Sequence, residues 1–299
     1  MATRMESGAM HSNDSTQRDG RRNRFFLWFA LGCLALGLVL MSINLYGLTQ
    51  PIRKPGLGVT DHHLLRFLPD RVLSYEESMA KIEALEMLGD PDSVASEANN
   101  IVNDSLVHVE WPDVDAEQYR QLIPIWENYY LYFLGLALDM PQIQRYHYAN
   151  YKRNIKRGIG VCGDAATVLS SILDRYEVPN RIGSFSNGHV VIEYESENGQ
   201  RYVMDPDFGV ELGMSLQAIT EDPRLVRNVY SAQGYSEKEI NTLERIYGSG
   251  YVIFDDTYHF MTKRYIFEEV SYVMKWLLPV FLIVIPVFCL LRTRAAKLK

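Results

Sequence analysis

Gly160–Gly209, GVCGDAATVLSSILDRYEVPNRIGSFSNGHVVIEYESENGQRYVMDPDFG, changes hydrophobic period partway along. After Cys162, Ala165, Ala166, Val168, Leu169, Ile172 and Leu173 form an apolar face at helical spacing. That run ends near Tyr176, with Pro179 beyond it. From 181 to 208 the period drops to two, so that His189–Tyr194 and Tyr202–Asp205 read as antiparallel strands joined around Asn198-Gly199. A buried helix leading into a hairpin predicts an α+β domain with an antiparallel sheet.

The chemistry-bearing residues sit at the joints of these elements. The turn Gly158-Ile159-Gly160-Val161-Cys162-Gly163-Asp164 enters the helix at Cys162. A helix start, with its unpaired N–H groups and partial positive charge, favours the thiolate, which is the nucleophilic form. His189 opens one strand and Asp205 closes the next. The three supply a nucleophile, a base and a carboxylate to orient the base. Taken alone, His189 also fits an ordinary strand residue, and Asp205-Pro206 a turn initiator.

Strand parity gives a geometric condition for this set. A two-residue Asn198-Gly199 turn would put Asp205 on the face away from His189 and forbid a triad. The reading therefore predicts a bulge or an odd loop: three residues place Asp205 diagonal to His189, and five place it directly opposite.

The same segment resembles the transglutaminase-like superfamily, a branch of the papain-like cysteine hydrolase fold. A G-x-C turn enters a helix with small residues behind the cysteine. The short link Val178-Pro179-Asn180-Arg181 follows, then a histidine at a strand start before V-x-x-E, then a strand ending in Asp205-Pro206. The resemblance covers about 50 of the 299 residues, Gly160 to Gly209. It implies a papain/transglutaminase-like domain (core 145–212) with Cys162 as nucleophile, His189 as general base and Asp205 as the residue orienting the imidazole. The first oxyanion donor would be the Cys162 backbone N–H, and Asn154, Tyr151 and Tyr148 are candidates for the second.

Two apolar runs bracket this domain. Phe25–Leu48 is 24 residues without a charge, about 36 Å as a helix and long enough to cross a bilayer. Its length, and the lack of a small-x-small cleavage site, favour a retained anchor over a signal peptide. Trp276–Leu291 has 16 uncharged residues and spans if Tyr272–Lys275 join it, with Lys275 snorkelling to the interface. Arg18, Arg21, Arg22 and Arg24 precede the first run, and Arg292, Arg294, Lys297 and Lys299 follow the second. Both termini are thus expected in the cytoplasm, though Arg53, Lys54, Lys263 and Arg264 oppose this bias.

The resulting domain order is a disordered cytoplasmic tail (1–24), a transmembrane helix (25–48), an extracytoplasmic domain (49–271), a second transmembrane helix (272–291) and a cytoplasmic tail (292–299). Leu122–Leu138 could pass for a third span. Glu127, Asn128 and Pro124, and the topology a third crossing would force, argue for a core helix instead. Cys33 and Cys289 lie inside the apolar runs, so Cys162 has no partner for a disulfide within the domain. A lone thiol in an oxidising compartment points to reactivity, with a buried inert cysteine as the alternative.

Residues 25–291 carry 21 basic and 34 acidic side chains, a net charge of −13 that argues against a nucleic-acid partner. Arg145, Lys152, Arg153, Lys156 and Arg157, interleaved with Tyr146, His147, Tyr148 and Tyr151, form a basic aromatic patch. It reads either as a solvated helix face or as a platform for an anionic or sugar-bearing substrate. Asp164 is expected to cap the Cys162 helix. His62-His63, His108, His147 and His259 have no ligand spacing and no cysteine cluster beside them, so neither a metal nor another cofactor is expected.

Together these features predict a two-pass bacterial inner-membrane protein with a periplasmic domain. Its expected activity is thiol-dependent amide acyl transfer or hydrolysis, as a peptidase, amidase or transamidase. Reachable substrates are an envelope peptide, a protein or a polysaccharide, and cell-surface polysaccharide assembly is one setting. The rival expectation is a catalytically inactive membrane-anchored binding or scaffold module of the same fold.

Overall fold

The structure is a computed structural model of the chain. It describes residues 8–57, 72–109, 115–138, 145 and 147–297, so that Tyr146, His62 and His63 lie outside the described residues. The chain divides into two compact units. One comprises Met1–Gln50, Pro124–Tyr130 and Val270–Lys299, and the other Pro51–Ile123 and Leu131–Glu269.

The first unit contains α1 (Gly8–Leu48) and most of α11 (Thr262–Lys297). Arg24–Leu48 and Thr262–Ala295 within these helices are long and apolar enough to cross a membrane. Phe25, Trp28, Phe29, Val284, Ile285 and Phe288 are exposed, which suggests helices solvated by hydrocarbon rather than water. α11 runs through Pro279 and Pro286 without a break. At Gly37 the helices meet closely: a Cβ there would lie 2.9 Å from the side chains of Leu282 and Ile283 and 3.0 Å from the Pro279 carbonyl oxygen.

Residues 124–130 join this unit rather than the extracytoplasmic domain to which the sequence reading assigned them, and polar contacts explain why. Asn128 Nδ2 donates to Ser271 Oγ at 2.9 Å, and the Tyr129 hydroxyl donates to the Lys275 carbonyl at 2.9 Å. Lys275 does not snorkel: it is buried, and its Nζ donates to the Glu127 carbonyl at 2.6 Å. The expected core helix over 122–138 is also corrected. Only Tyr129–Leu138 is helical (α4), about 15 Å long and too short to cross a bilayer. Phe133, Leu136 and Leu138 on it are exposed rather than in a core.

The second unit is α+β. Its main sheet has the strand order β6-β5-β4-β3-β7 and is antiparallel throughout. The strands are β3 (Asn180–Phe185), β4 (Val190–Glu195), β5 (Arg201–Asp205), β6 (Val210–Glu211) and β7 (Tyr251–Phe254). Alternation of side chains gives each face its own core. Val190, Ile192, Tyr194 and Met204 pack with α3 (Pro91–Ser105) and α6 (Cys162–Arg175). Phe185, Val191, Val203 and Val210 pack with α7 (Leu216–Glu221), α8 (Val226–Ala232) and α9 (Glu237–Tyr247). α9 begins at a Ser236–Glu239 capping box and is C-capped by Gly248. α2 (Tyr75–Ala84), a 3-10 turn at Leu85–Met87 and the short α10 (Thr257–Phe260) add to the first core.

The β4–β5 hairpin has the odd loop that parity demands. Glu195 pairs with Arg201 and Ile192 with Met204, and Ser196 N donates to Gln200 O at 2.8 Å. Glu197-Asn198-Gly199 is left as a three-residue loop, with Gly199 at φ +75°. Continuing this register puts Asp205 opposite Val191, diagonal to His189 and on the same face. A separate parallel pair, β1 (Val107–His108) with β2 (Ile159–Gly160), brings His108 beside the turn that precedes Cys162. α5 (Tyr151–Arg157) leads into that turn through Gly158, which caps it at φ +76°.

Candidate active site

Cys162 is the first residue of α6, after an extended Val161 (φ −127°, ψ 179°). Asp164 closes the helix start: its Oδ2 accepts from Val161 N at 3.0 Å, and its carboxylate pairs with His147 Nδ1 at 2.8 Å. Gly160 is required here, because a Cβ would come 2.8 Å from the Asp164 Cβ. The Cys162 side chain is partly exposed, and Sγ lies 3.5 Å from the carbonyl oxygen of Gly188, the residue before His189. Gly188 turns the chain into β4 at φ +93°, a conformation that suits glycine.

His189 and Asp205 are buried and joined, His189 Nε2 lying 2.7 Å from Asp205 Oδ2. The imidazole ring meets Phe208 and Tyr247 edge-on, at centroid distances of 5.6 and 6.0 Å, and these two aromatics fix its plane. Burial opposes a charge on the ring. The Asp205 carboxylate and the Cys162 sulfur outweigh it and hold His189 well above the ordinary imidazole value. The structure thus brings Cys162, His189 and Asp205 into one site.

Asp205 accepts from three further donors: the Tyr230 hydroxyl at 2.5 Å, the Tyr247 hydroxyl at 3.2 Å and Phe208 N at 3.4 Å. The two phenol oxygens are 2.7 Å apart. Burial, and then the neighbouring Asp205 charge, push both phenols well above their ordinary range, so they stay neutral and can donate. Tyr230 and Tyr247 belong to the site although nothing in their sequence context distinguishes them from core tyrosines.

A second carboxylate–imidazole pair adjoins the first. Asp207 is buried, and its oxygens lie 2.8 and 2.9 Å from His108 Nδ1 on β1. Asn103 of α3 holds the Asp207 backbone, donating to its carbonyl at 3.1 Å, and fills the space where Gly209 carries no side chain. One ligand-capable atom each from Cys162, His189 and Asp207 lies within 4.8 Å of the other two. Sequence spacing does not reveal this group, because its members come from a helix start, a strand start and a turn.

Other candidates do not join the site in their expected roles. Both amide atoms of Asn154 are taken by Tyr148: Nδ2 donates to its carbonyl at 2.7 Å and Oδ1 accepts from its N–H at 3.3 Å. Asn154 therefore clamps a loop. The Tyr151 hydroxyl accepts from Arg175 Nη1 at 3.3 Å. The basic patch is broken up: Arg153 pairs with Glu268 and Glu269, and Arg157 is buried on the carbonyls of Arg120 and Leu122. Lys152 and Lys156 stay exposed.

Comparison of the chain with protein-family models, curated proteins and solved structures gave no match.

Proposed function

We propose that this chain is a membrane-anchored thiol enzyme of the transglutaminase-like, papain-like class, acting on amides outside the cytoplasm. The observation that carries the reading is the buried His189–Asp205 pair at 2.7 Å beside a partly exposed sulfur at a helix N-terminus. A structural cysteine needs neither an oriented imidazole nor a buried carboxylate behind it.

In the proposed reaction Cys162 Sγ adds to an amide carbonyl carbon as a thiolate, and the Cys162 N–H steadies the oxyanion. The C–N bond then breaks. The amine leaves with the proton that His189 carries, and the acyl group remains on sulfur as a thioester. Water or a second amine attacks next, His189 takes its proton, and the thiolate departs. Asp205 stays ionised throughout, orients the ring and stabilises its charged form. With both termini in the cytoplasm, the flanking basic residues favour a periplasmic site facing envelope peptides, proteins or polysaccharide-linked amides.

The test is selective alkylation of the purified full-length protein in detergent, with Cys33 and Cys289 replaced by alanine. Iodoacetamide at pH 6–7 should modify Cys162 faster than it modifies free cysteine, and His189→Ala should remove the excess. Mass spectrometry of protein exposed to envelope extract should then find an acyl adduct on Cys162. Ordinary thiol reactivity in the parent protein would favour the inactive binding module.

A further inference from the structure

We propose that Cys162, His189 and Asp207 form a three-ligand site for Zn²⁺, whose occupation blocks acyl transfer. The donor set of thiolate, imidazole and carboxylate is one that zinc favours, and three protein ligands leave a fourth position open to water. The three donor atoms already lie within 4.8 Å of one another. A tetrahedral zinc ion holds its ligands roughly 3.5 Å apart, so closure takes shifts of about 1 Å in side chains and none in the fold.

The surroundings are built as a metal site requires. His189 gives Nε2 to Asp205 at 2.7 Å, which leaves Nδ1 as the nitrogen that can bind a cation. Asp207 is oriented by His108 Nδ1 at 2.8 Å and retains lone pairs for a further partner. Each of these two ligands is thus seated by a buried residue behind it, the arrangement that fixes ligand direction in zinc proteins. Asp207 has no place in the proposed acyl-transfer cycle, and although His108 pairs with it, its carboxylate also lies beside the sulfur, where a cation would be held between the two. Zinc bound through Sγ and Nδ1 occupies the nucleophile and the base together, so that the metal-bound and acylating states exclude each other.

The blocking effect rests on the acyl-transfer reading, whereas zinc binding itself does not, and the test reads binding directly. Full-length protein in detergent, carrying Cys33→Ala and Cys289→Ala, is titrated with Zn²⁺ against a chromophoric chelator. One equivalent should bind and protect Cys162 from iodoacetamide, and Co²⁺ should give the near-ultraviolet band of a thiolate–cobalt bond. Cys162→Ser and Asp207→Asn should each weaken binding at least tenfold, and Asp205→Asn should weaken it about 10–100-fold. Should Asp207→Asn fail to fold, the cobalt band of the parent protein and its loss in Cys162→Ser still decide the matter. Affinity unchanged in Cys162→Ser, or no zinc binding by protein whose Cys162 alkylates rapidly, overturns the site. The second result leaves the thiol-enzyme reading intact.

Discussion

Tyr230 donates to Asp205 Oδ2 at 2.5 Å, the same oxygen that lies 2.7 Å from His189 Nε2. The carboxylate is therefore held from behind by a neutral phenol while it orients the imidazole in front, with Tyr247 as a further donor at 3.2 Å. Tyr230→Phe removes one donor without emptying space. It should lower unfolding free energy by about 1–3 kcal/mol, the range for depriving a buried charged acceptor of a hydrogen bond. Tyr230→Phe/Tyr247→Phe should depart from additivity by at least 0.5 kcal/mol, because both hydroxyls serve one carboxylate. Urea denaturation of the four proteins of this cycle reads both quantities.

Asn154 offers a contrast between structure and catalysis. Both ends of its amide clamp the Tyr148 backbone, so Asn154→Ala should cost about 1–3 kcal/mol of stability. Alkylation of Cys162 per folded molecule should stay within about twofold of the parent, since the clamp does not touch the sulfur. A loss of thioester formation at unchanged stability would instead make Asn154 an oxyanion donor.

Much of the site's frame was legible because it depends on local rules. The helix start at Cys162 follows from a glycine-flanked turn and the 3.6-residue period behind it. The odd β4–β5 loop follows from requiring His189 and Asp205 to share a face, and the observed three-residue loop is one of the two lengths parity allows. Asp207 lies two residues beyond Asp205 but past the end of β5, in a turn, so strand alternation does not place it. Tyr230 and Tyr247 lie 25 and 42 residues beyond Asp205, and His108 lies 99 residues before Asp207. Their arrival depends on how α8, α9 and β1 pack, which no period in the chain encodes. Residues 122–138 depart from expectation for a related reason. Their composition suits a core helix, whereas Asn128 and Tyr129 are drawn to Ser271 and Lys275 on α11.

The crossing of the two long helices can be tested by size alone. Gly37→Val would press a side chain against Leu282, Ile283 and the Pro279 carbonyl, whereas a Cβ at Gly32 meets nothing within 4 Å. Overpacking of this kind costs about 1–3 kcal/mol. Gly37→Val should therefore melt below the parent protein in detergent micelles, and Gly32→Val should match the parent. Equal melting of the two variants would mean the helices do not meet at Gly37.

The elevated His189 value makes stability depend on pH with a definite sign. A group whose folded-state value is raised contributes stability that is fully present below its unfolded value, about 6.5 for histidine. That contribution is lost as pH rises through the folded value. With EDTA present to keep metal away, the stability advantage of the parent over His189→Gln should be largest near pH 6 and shrink steadily toward pH 10. An advantage that grew with pH would mean the ring is buried neutral.

Asp205→Asn separates orientation from simple proximity. The asparagine side chain fits the same space, and with Tyr230 and Tyr247 donating to the oxygen that His189 Nε2 also faces, the ring keeps a neutral acceptor but loses the carboxylate charge. Removal of the carboxylate charge lowers the His189 value, since that charge is the largest contribution raising it. Thioester formation on Cys162 should fall by about 10²–10⁴-fold, the scale seen when a buried orienting carboxylate is made neutral. Alkylation at pH 6–7 should fall toward that of free cysteine, and the far-ultraviolet circular dichroism should stay unchanged. A variant that keeps the parent's alkylation rate at pH 6 would show that the sulfur draws its reactivity from the α6 N-terminus alone, with His189 and Asp205 as structural bystanders.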